Sequence, residues 1–380
     1  GGLNHEPLGL ISYNGEVFAG GLFDSAGGVS AKYVARWNGS QWQNAGDGFN
    51  SVVNTFIEYN GDLIAGGWFT ASGNEIISGV SKWDGSNWRS MGTGIIGTVY
   101  DFCIFRGELY AGGCFNYASG IPAGGIARWD GNKWNPVGAG IAGGDKTIYT
   151  LAVYNNELYA GGGFIKMGDD YCYNIAKYNG SSWRPVGSGA DGAYCNVSRA
   201  YITSLKVFNN ELYAAGLFSR INGVTANKLA RYNGTNWCSV EYGVDLRPRA
   251  LEVYDNELII NGDFYSASGV ECNNIVKYTP KKNLTGIENN NTSREFKLEQ
   301  NYPNPFNPVT RIGFRIANPG FVTLKVFDIT GKQVAVLAEK DMQPGIFNFD
   351  FDGQSFGSGV YIYRLETAGS DGTSYTESKK

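Results

Sequence analysis

The 380-residue chain contains a single histidine, His5, and that scarcity removes whole classes of chemistry. A Ser-His-Asp relay, a histidine-held metal and a copper oxidase centre all need imidazoles that are not there. Six cysteines occur without any C-x-x-C pair, so a zinc knuckle is not written into the chain and an oxidising compartment suits the thiols better. No apolar run approaches the ~20 residues of a membrane-spanning helix, so no transmembrane segment is expected. Positive charge is not in excess either. A net charge of −4 is the opposite of the basic stripe a nucleic-acid partner demands. No cofactor is expected.

Glycine and aromatic residues are abundant instead: 55 glycines stand beside 24 tyrosines, 21 phenylalanines and 9 tryptophans. Short strands joined by tight turns have this composition, because glycine alone takes positive φ cheaply. One template recurs six times. It begins at Tyr13, Tyr59, Phe105, Tyr154, Phe208 and Tyr254, and closes on Phe23, Phe69, Phe115, Phe164, Phe218 and Phe264. A second aromatic anchor follows, as Trp37 to Trp42, Trp83 to Trp88, Trp129 to Trp134, Tyr178 to Trp183 and Tyr232 to Trp237, with Tyr278 alone in the sixth copy. In the second copy this parses into strands over Val53–Tyr59, Asp62–Phe69, Val80–Trp83 and Asn87–Met91, with a looser loop between the middle two. Asn60-Gly61 and Asp84-Gly85 supply the hairpin turns. Four-stranded units repeating every 46 to 54 residues predict a six-bladed β-propeller over residues 1–280. The glycine- and tryptophan-rich template, from about residue 8 to 280, resembles secreted bacterial propellers grouped with kelch-like folds.

The first anchor to the second is always 24 residues, while insertions fall only between repeats, around Gly143-Gly144-Asp145 and over Asp191–Tyr201. Those connections and the loops between second and third strands emerge on one face, so recognition is expected there. The candidates are Asp24, Glu75, Asn116, Tyr117, Asp145, Lys146, Asp169, Asp170, Tyr171, Asp191, Tyr194, Arg199 and Tyr201. Acids mixed with tyrosines suit glycan or peptide contacts. Asp169-Asp170 also offers oxygen ligands of the kind calcium takes, without a regular calcium loop. Cys172 and Cys195 lie in adjoining loops of this face and are expected to form a disulfide; Cys103 and Cys114 are expected as buried thiols. Trp68 is expected to be buried between blades. Acids recurring at one slot, Glu16, Asp62, Glu108, Glu157, Glu211 and Glu257, read as structural. The sixth copy lacks a fourth strand, so it is expected either to be three-stranded or to be completed by a strand upstream of residue 1. The chain opens on Gly1-Gly2 without a leader, as for a processed chain or a fragment.

Beyond an Asn-rich linker over residues 281–296, a different unit occupies 297–380. Its alternating segments Thr310–Ile316, Val322–Ile329, Gln333–Ala338, Phe347–Phe351 and Val360–Thr367 predict an Ig-like antiparallel β-sandwich. The run Asn301, Tyr302, Pro303, Asn304, Pro305, Phe306, Asn307, Pro308, with Val326–Gly331 and Ser358-Gly359-Val360-Tyr361, closely resembles the type A sorting domain of type IX secretion substrates. The resemblance implies a partner, the type IX secretion machinery, and export to the outer surface or the medium by a bacterium of the Bacteroidota or a relative. Such domains end on a further apolar strand after a Lys-Lys pair, so the unit is expected to be truncated at Lys379-Lys380. The sequence therefore favours a non-enzymatic secreted or cell-surface propeller binding a glycan or a protein. A structural subunit of an extracellular assembly and a carbohydrate-active lyase or glycosidase are the alternatives.

Overall fold

The computed structural model describes residues 1–192, 200–241, 243–268, 270–272, 274–278, 296–301, 304, 306, 308–316, 318–342, 345–357, 359–369 and 374–380. Every regular element among them is a β-strand. The chain divides into two compact units, Gly1–Pro280 and Lys281–Lys380.

In the first unit each repeat forms its own antiparallel sheet, and six such sheets follow one another along the chain. In the second, Val53–Tyr59 is the inner strand, followed outward by Asp62–Gly67, Val80–Trp83 and Trp88–Ser90. The turn between the first two strands needs positive φ at both central residues, which is why Asn, Asp and Gly dominate it: Asn14-Gly15, Asn60-Gly61, Asn155-Asn156, Asn209-Asn210 and Asp255-Asn256 all adopt it, and so does Arg106-Gly107. The outer turn is fixed by a side chain. Asn38, Asp84, Asp130, Asn179 and Asn233 each accept two backbone N–H bonds from the residues two and three positions on. Those backbone donors hold the Asp84 and Asp130 carboxyls down at about 2.

The acids of the recurring slot find partners twenty residues on, across the neighbouring strand. Glu16 pairs with Arg36 (3.1 Å), Asp62 with Lys82 (3.2 Å), Glu157 with Lys177 (2.7 Å), Glu211 with Arg231 (2.7 Å) and Glu257 with Lys277 (2.7 Å). Glu108 and Arg128 make the remaining pair.

Adjacent sheets meet at their inner strands. One second-strand slot faces the next sheet and is nearly side-chain-free: Gly20, Gly66, Gly112, Gly161 and Ala215. A Cβ on Gly66 would stand 2.7 Å from the Phe102 ring, and one on Gly112 or Gly161 2.7 Å from Ile148 or Ile202. Polar inner-strand residues also reach forward. The N–H groups of Leu151, Leu205 and Leu251 donate to Asp101 (2.7 Å), Thr150 (3.0 Å) and Ser204 (3.1 Å) of the preceding sheet. Indoles reach back, Trp88 to the Ala45 carbonyl (3.1 Å) and Trp183 to that of Val137 (3.2 Å).

The junction of sixth and first sheets is different. The small slot holds Asn261, whose side chain accepts from Ala250 of its own sheet (3.0 Å), and the forward-reaching position is that same Ala250. Leu10 is 64% exposed where its counterparts Phe102, Leu151, Leu205 and Leu251 are 4–6% exposed. An Arg249–Glu6 contact at 4.0 Å links the two sheets. The sixth sheet has three strands among the described residues.

The loop expected between second and third strands holds a small hairpin in most repeats, such as Ala71–Ser72 with Glu75–Ile76. These hairpins bond to the inter-repeat connections: Ile141–Ala142 pairs with Lys166–Met167, and Ala190–Asp191 with Arg220–Ile221. The two variable regions thus share one face.

In the second unit, Lys297–Leu298, Val309–Ile316 and Gly345–Asp352 form one sheet, and Gln333–Met342, Gly320–Asp328, Tyr361–Gly369 and Ser374–Lys379 another. They enclose a core containing Leu298, Ile312, Phe314, Val322, Leu324, Tyr363 and Leu365. Ser374–Lys379 escaped the sequence reading because it is a polar edge strand with only half-buried alternate residues.

Burial pushes the Asp101 carboxyl up to about 6, against the downward pull of N–H bonds from Leu151 and Phe102. Its folded value lies above the unfolded one of 3.8, so the native state holds the extra proton and this group's contribution to stability falls as pH rises from about 4 to about 6. Asp101→Thr, matching Thr150, is expected to remove that slope, and unfolding midpoints across this range measure it. Gly112→Val is expected to cost about 1–3 kcal/mol by overpacking against Ile148 and Leu151, read by denaturant titration.

Candidate functional site

The residues that depart from the template gather where the inner strands meet the variable face. Each inner strand carries a bulge there, between Val99 and Asp101 in the third sheet, Ile148 and Thr150 in the fourth, Ile202 and Ser204 in the fifth. The bulge turns the skipped residue out of register. In the third and fourth sheets that residue is Tyr100 and Tyr149, whose rings lie 5.4 Å apart. Tyr201 continues the row at 5.8 Å from Tyr149. The Arg247 guanidinium is kept charged by the neighbouring Tyr201 hydroxyl and by Asp263, which it grips through two nitrogens at 2.7 and 2.9 Å. Arg249 donates to the other Asp263 oxygen at 2.8 Å and faces Glu6. Three tyrosines, two arginines and an acid so form one continuous crescent from the third sheet to the sixth.

Burial raises the Tyr100 and Tyr149 hydroxyls, and for Tyr149 the neighbouring Tyr100 and Asp145 add to it. Both stay protonated donors at neutral pH. Burial works against the Asp263 charge, but the Arg247 and Arg249 guanidiniums hold its carboxyl below the ordinary carboxylate value. The half-buried rings offer apolar surface, and the fixed arginines and hydroxyls offer directed polar groups.

Of the residues expected from sequence, Tyr201 lies in this crescent and Asp145 beside it. Lys146 is exposed next to Asp145. Others serve the fold. Asp24 accepts from the Asn4 side chain (2.7 Å), which also clamps the backbone of Asp24 and Ser25. Glu75 accepts from Arg89 and from the Ser90 N–H, both at 2.9 Å, and these bonds lower its carboxyl. Asp191 pairs with Arg220 at 3.0 Å. A second exposed group forms on the fourth repeat's hairpin, where Tyr171 stacks on Tyr173 at 5.8 Å with the Lys166 ammonium 4.3 Å from the Tyr171 ring. Asp169 and Asp170 are exposed there, and Asn116 and Tyr117 on the third repeat's hairpin. Among the described residues no three His, Cys, Asp or Glu side chains gather as a metal would require. Tyr194, Cys195 and Arg199 lie outside the described residues, as do Tyr302, Pro303, Pro305 and Asn307.

Three expectations are corrected. Cys172, expected to bridge to Cys195, is a free thiol: it points away from the loop into the core with Ile148, Phe164 and Met167 and is fully buried. Burial raises that thiol to about 11. Cys114 is exposed rather than buried, while Cys103 is part-buried, because they occupy opposite kinds of slot. Trp68 is 63% exposed, since its neighbour Phe69 takes the inward position.

The crescent's Tyr100, Tyr149, Arg247, Arg249 and Asp263 were missed in sequence. The signal was there: Tyr100, Tyr149 and Arg249 share one slot that elsewhere holds Leu8, Asn54 and Thr203, Arg247 and Asp263 stand in slots just as mixed, and slot-by-slot variability would have found them.

In the second unit, the sorting-motif residues Asn301, Asn304, Phe306, Pro308, Gly359, Val360 and Tyr361 line a cavity of about 610 Å³ between the ends of the two sheets. Asn301 is buried, its N–H donating to the Tyr363 hydroxyl (2.8 Å) and its side-chain amide to Thr310 (2.9 Å).

Residues 300–376 match the secretion system C-terminal sorting domain, and residues 209–235 match a β-propeller domain of unknown function. Among curated proteins none matches the chain. Two solved structures are similar to it, the extracellular domains of a hybrid two-component system and of a one-component system from B. thetaiotaomicron, each at 11% identity over 98% of this chain, with TM-scores of 0.40 and 0.36. The chain spans 56% of the length of each. The chain is thus a secreted or cell-surface β-propeller protein that carries a type IX secretion sorting domain at its C-terminal end.

Proposed function

We propose that the chain is a non-enzymatic six-bladed propeller with an Ig-like sorting domain, and that it binds a glycan through the variable face at the tyrosine–arginine crescent. The observation that carries this reading is the row Tyr100, Tyr149, Tyr201, ending on the Arg247–Asp263–Arg249 cluster. Sugars present apolar ring faces with hydroxyls at the rim. Half-buried tyrosines cover the first, and preset guanidinium, carboxylate and phenol groups satisfy the second. A protein ligand would use the same groups, aromatic and Arg anchors being the common centre of such contacts. The sorting domain delivers this surface outside the cell by engaging the secretion machinery. A structural role in an extracellular assembly is the second reading, favoured by the apolar exposure of Leu8, Leu10, Tyr254 and Ile275 at the junction of the sixth and first blades.

Purified full-length chain on a glycan array is expected to retain a limited set of glycans. Tyr149→Ala is expected to weaken a retained glycan by about tenfold or more, and Tyr171→Ala, on a separate hairpin, to leave it within about twofold. Calorimetric titration of the three proteins measures this. Unchanged binding in Tyr149→Ala would remove the crescent as the site, and no retained glycan together with self-association in solution would favour the structural reading.

A further inference from the structure

Five of the six propeller sheets end outward in the same way. A short outer strand opens on a tryptophan, Trp42, Trp88, Trp134, Trp183 or Trp237, paired with the aromatic that ends the third strand, Trp37, Trp83, Trp129, Tyr178 or Tyr232. The paired rings lie 5.0 to 5.6 Å apart. Two residues after the tryptophan comes Asn44, Ser90, Pro136, Pro185 or Ser239, opposite a small residue: Ala35, Ser81, Ala127, Ala176 or Ala230. The next residue is apolar and buried: Ala45, Met91, Val137, Val186 or Val240. The outer strand is therefore one recurrent chemical pattern in one recurrent register.

The sixth sheet carries the receiving half of this arrangement. Its third strand, Ile275–Tyr278, pairs inward with Glu257–Gly262 and has no outer partner among the described residues. Tyr278 stands at the aromatic position, with its ring 6.1 Å from that of Tyr213 in the preceding sheet. Ile275 is 59% exposed, where its counterparts Val34, Val80, Ile126, Ile175 and Leu229 pack against the following sheet and are at most 2% exposed, so this end of the strand is also left uncovered by the first sheet. An open strand edge is a template for pairing, and main-chain hydrogen bonds supply affinity there while side-chain pockets supply choice.

The geometry points to a strand-acceptor site on the sixth sheet. The edge of Ile275–Tyr278 takes, antiparallel, an extended segment of a second polypeptide that opens on tryptophan, has Ser, Asn or Pro two residues later, and then an apolar residue. The tryptophan stacks on Tyr278, and the apolar residue enters the place that Val240 fills in the fifth sheet. This site is separate from the crescent and does not depend on glycan binding.

The test uses the full chain and a fluorescein-labelled peptide of residues 86–91, Ser-Asn-Trp-Arg-Ser-Met, titrated by anisotropy. Expected are saturable binding, at least about tenfold weaker binding when the peptide carries Trp88→Ala, and loss of binding when alternate peptide amides are N-methylated. Amide hydrogen exchange of residues 275–278 is expected to slow in the complex, and Tyr149→Ala protein to bind the peptide unchanged. Absence of saturable binding overturns the proposal, and this is the outcome if other residues of the chain already cover the edge. Equal binding by the N-methylated peptide, or protection away from 275–278, overturns it as well, because the contact is then not a strand pairing.

Discussion

The propeller depends on how closely one sheet can lie on the next. At the slot held by Gly20, Gly66, Gly112 and Gly161, the second strand offers bare backbone to the large inner-strand residues of the following sheet. Interiors are close-packed, so a side chain there would push the sheets apart rather than find room. The fixed length of the first hairpin follows from this, because a change there would slide the bare patch off the residue it receives. Length variation is left to the connections, and these collect on one face. The location of the candidate site is a result of that packing rule.

The crescent follows from the same inner strands. A bulge near the start of each breaks the alternation of buried side chains and turns one residue out of the packed interface. Where the template asks nothing of that residue, the chain has placed Tyr100 and Tyr149. Asp101, the next residue in the third sheet, is spent on the backbone of the fourth, as Thr150 and Ser204 are on the fifth and sixth. Fold and candidate site therefore use neighbouring residues with opposite duties, one bonded forward to the next sheet and one turned to the surface.

The sheets of the first unit were legible because their causes are local. Asn-Gly turns, aromatic anchors and constant spacing can all be read along the chain. The recurring acids could be read as structural but not explained, since Arg36 or Lys177 is twenty residues away and meets its acid only once the strands pair. The hairpins between second and third strands read as loose loops along the chain, because two-residue strands such as Ala71–Ser72 carry no periodicity. Asp24, Glu75 and Asp191 looked available for a ligand, and only the folded chain shows their bonds to Asn4, Arg89 and Arg220. The crescent spans four repeats, so no window of sequence contains it. Cys172 misled because its loop faces outward while its own side chain turns in.

The acid–base pair inside every propeller repeat has an arithmetic consequence. Each repeat carries its own countercharge, from Glu16 with Arg36 through to Glu257 with Lys277, so these stripes add nothing to the net charge however many repeats stand in a row. Duplicating or deleting a repeat moves this pair as a neutral parcel. An array built this way can change in number without its strand-to-strand ion pairs adding to the long-range field, which is left to the charges of the variable loops.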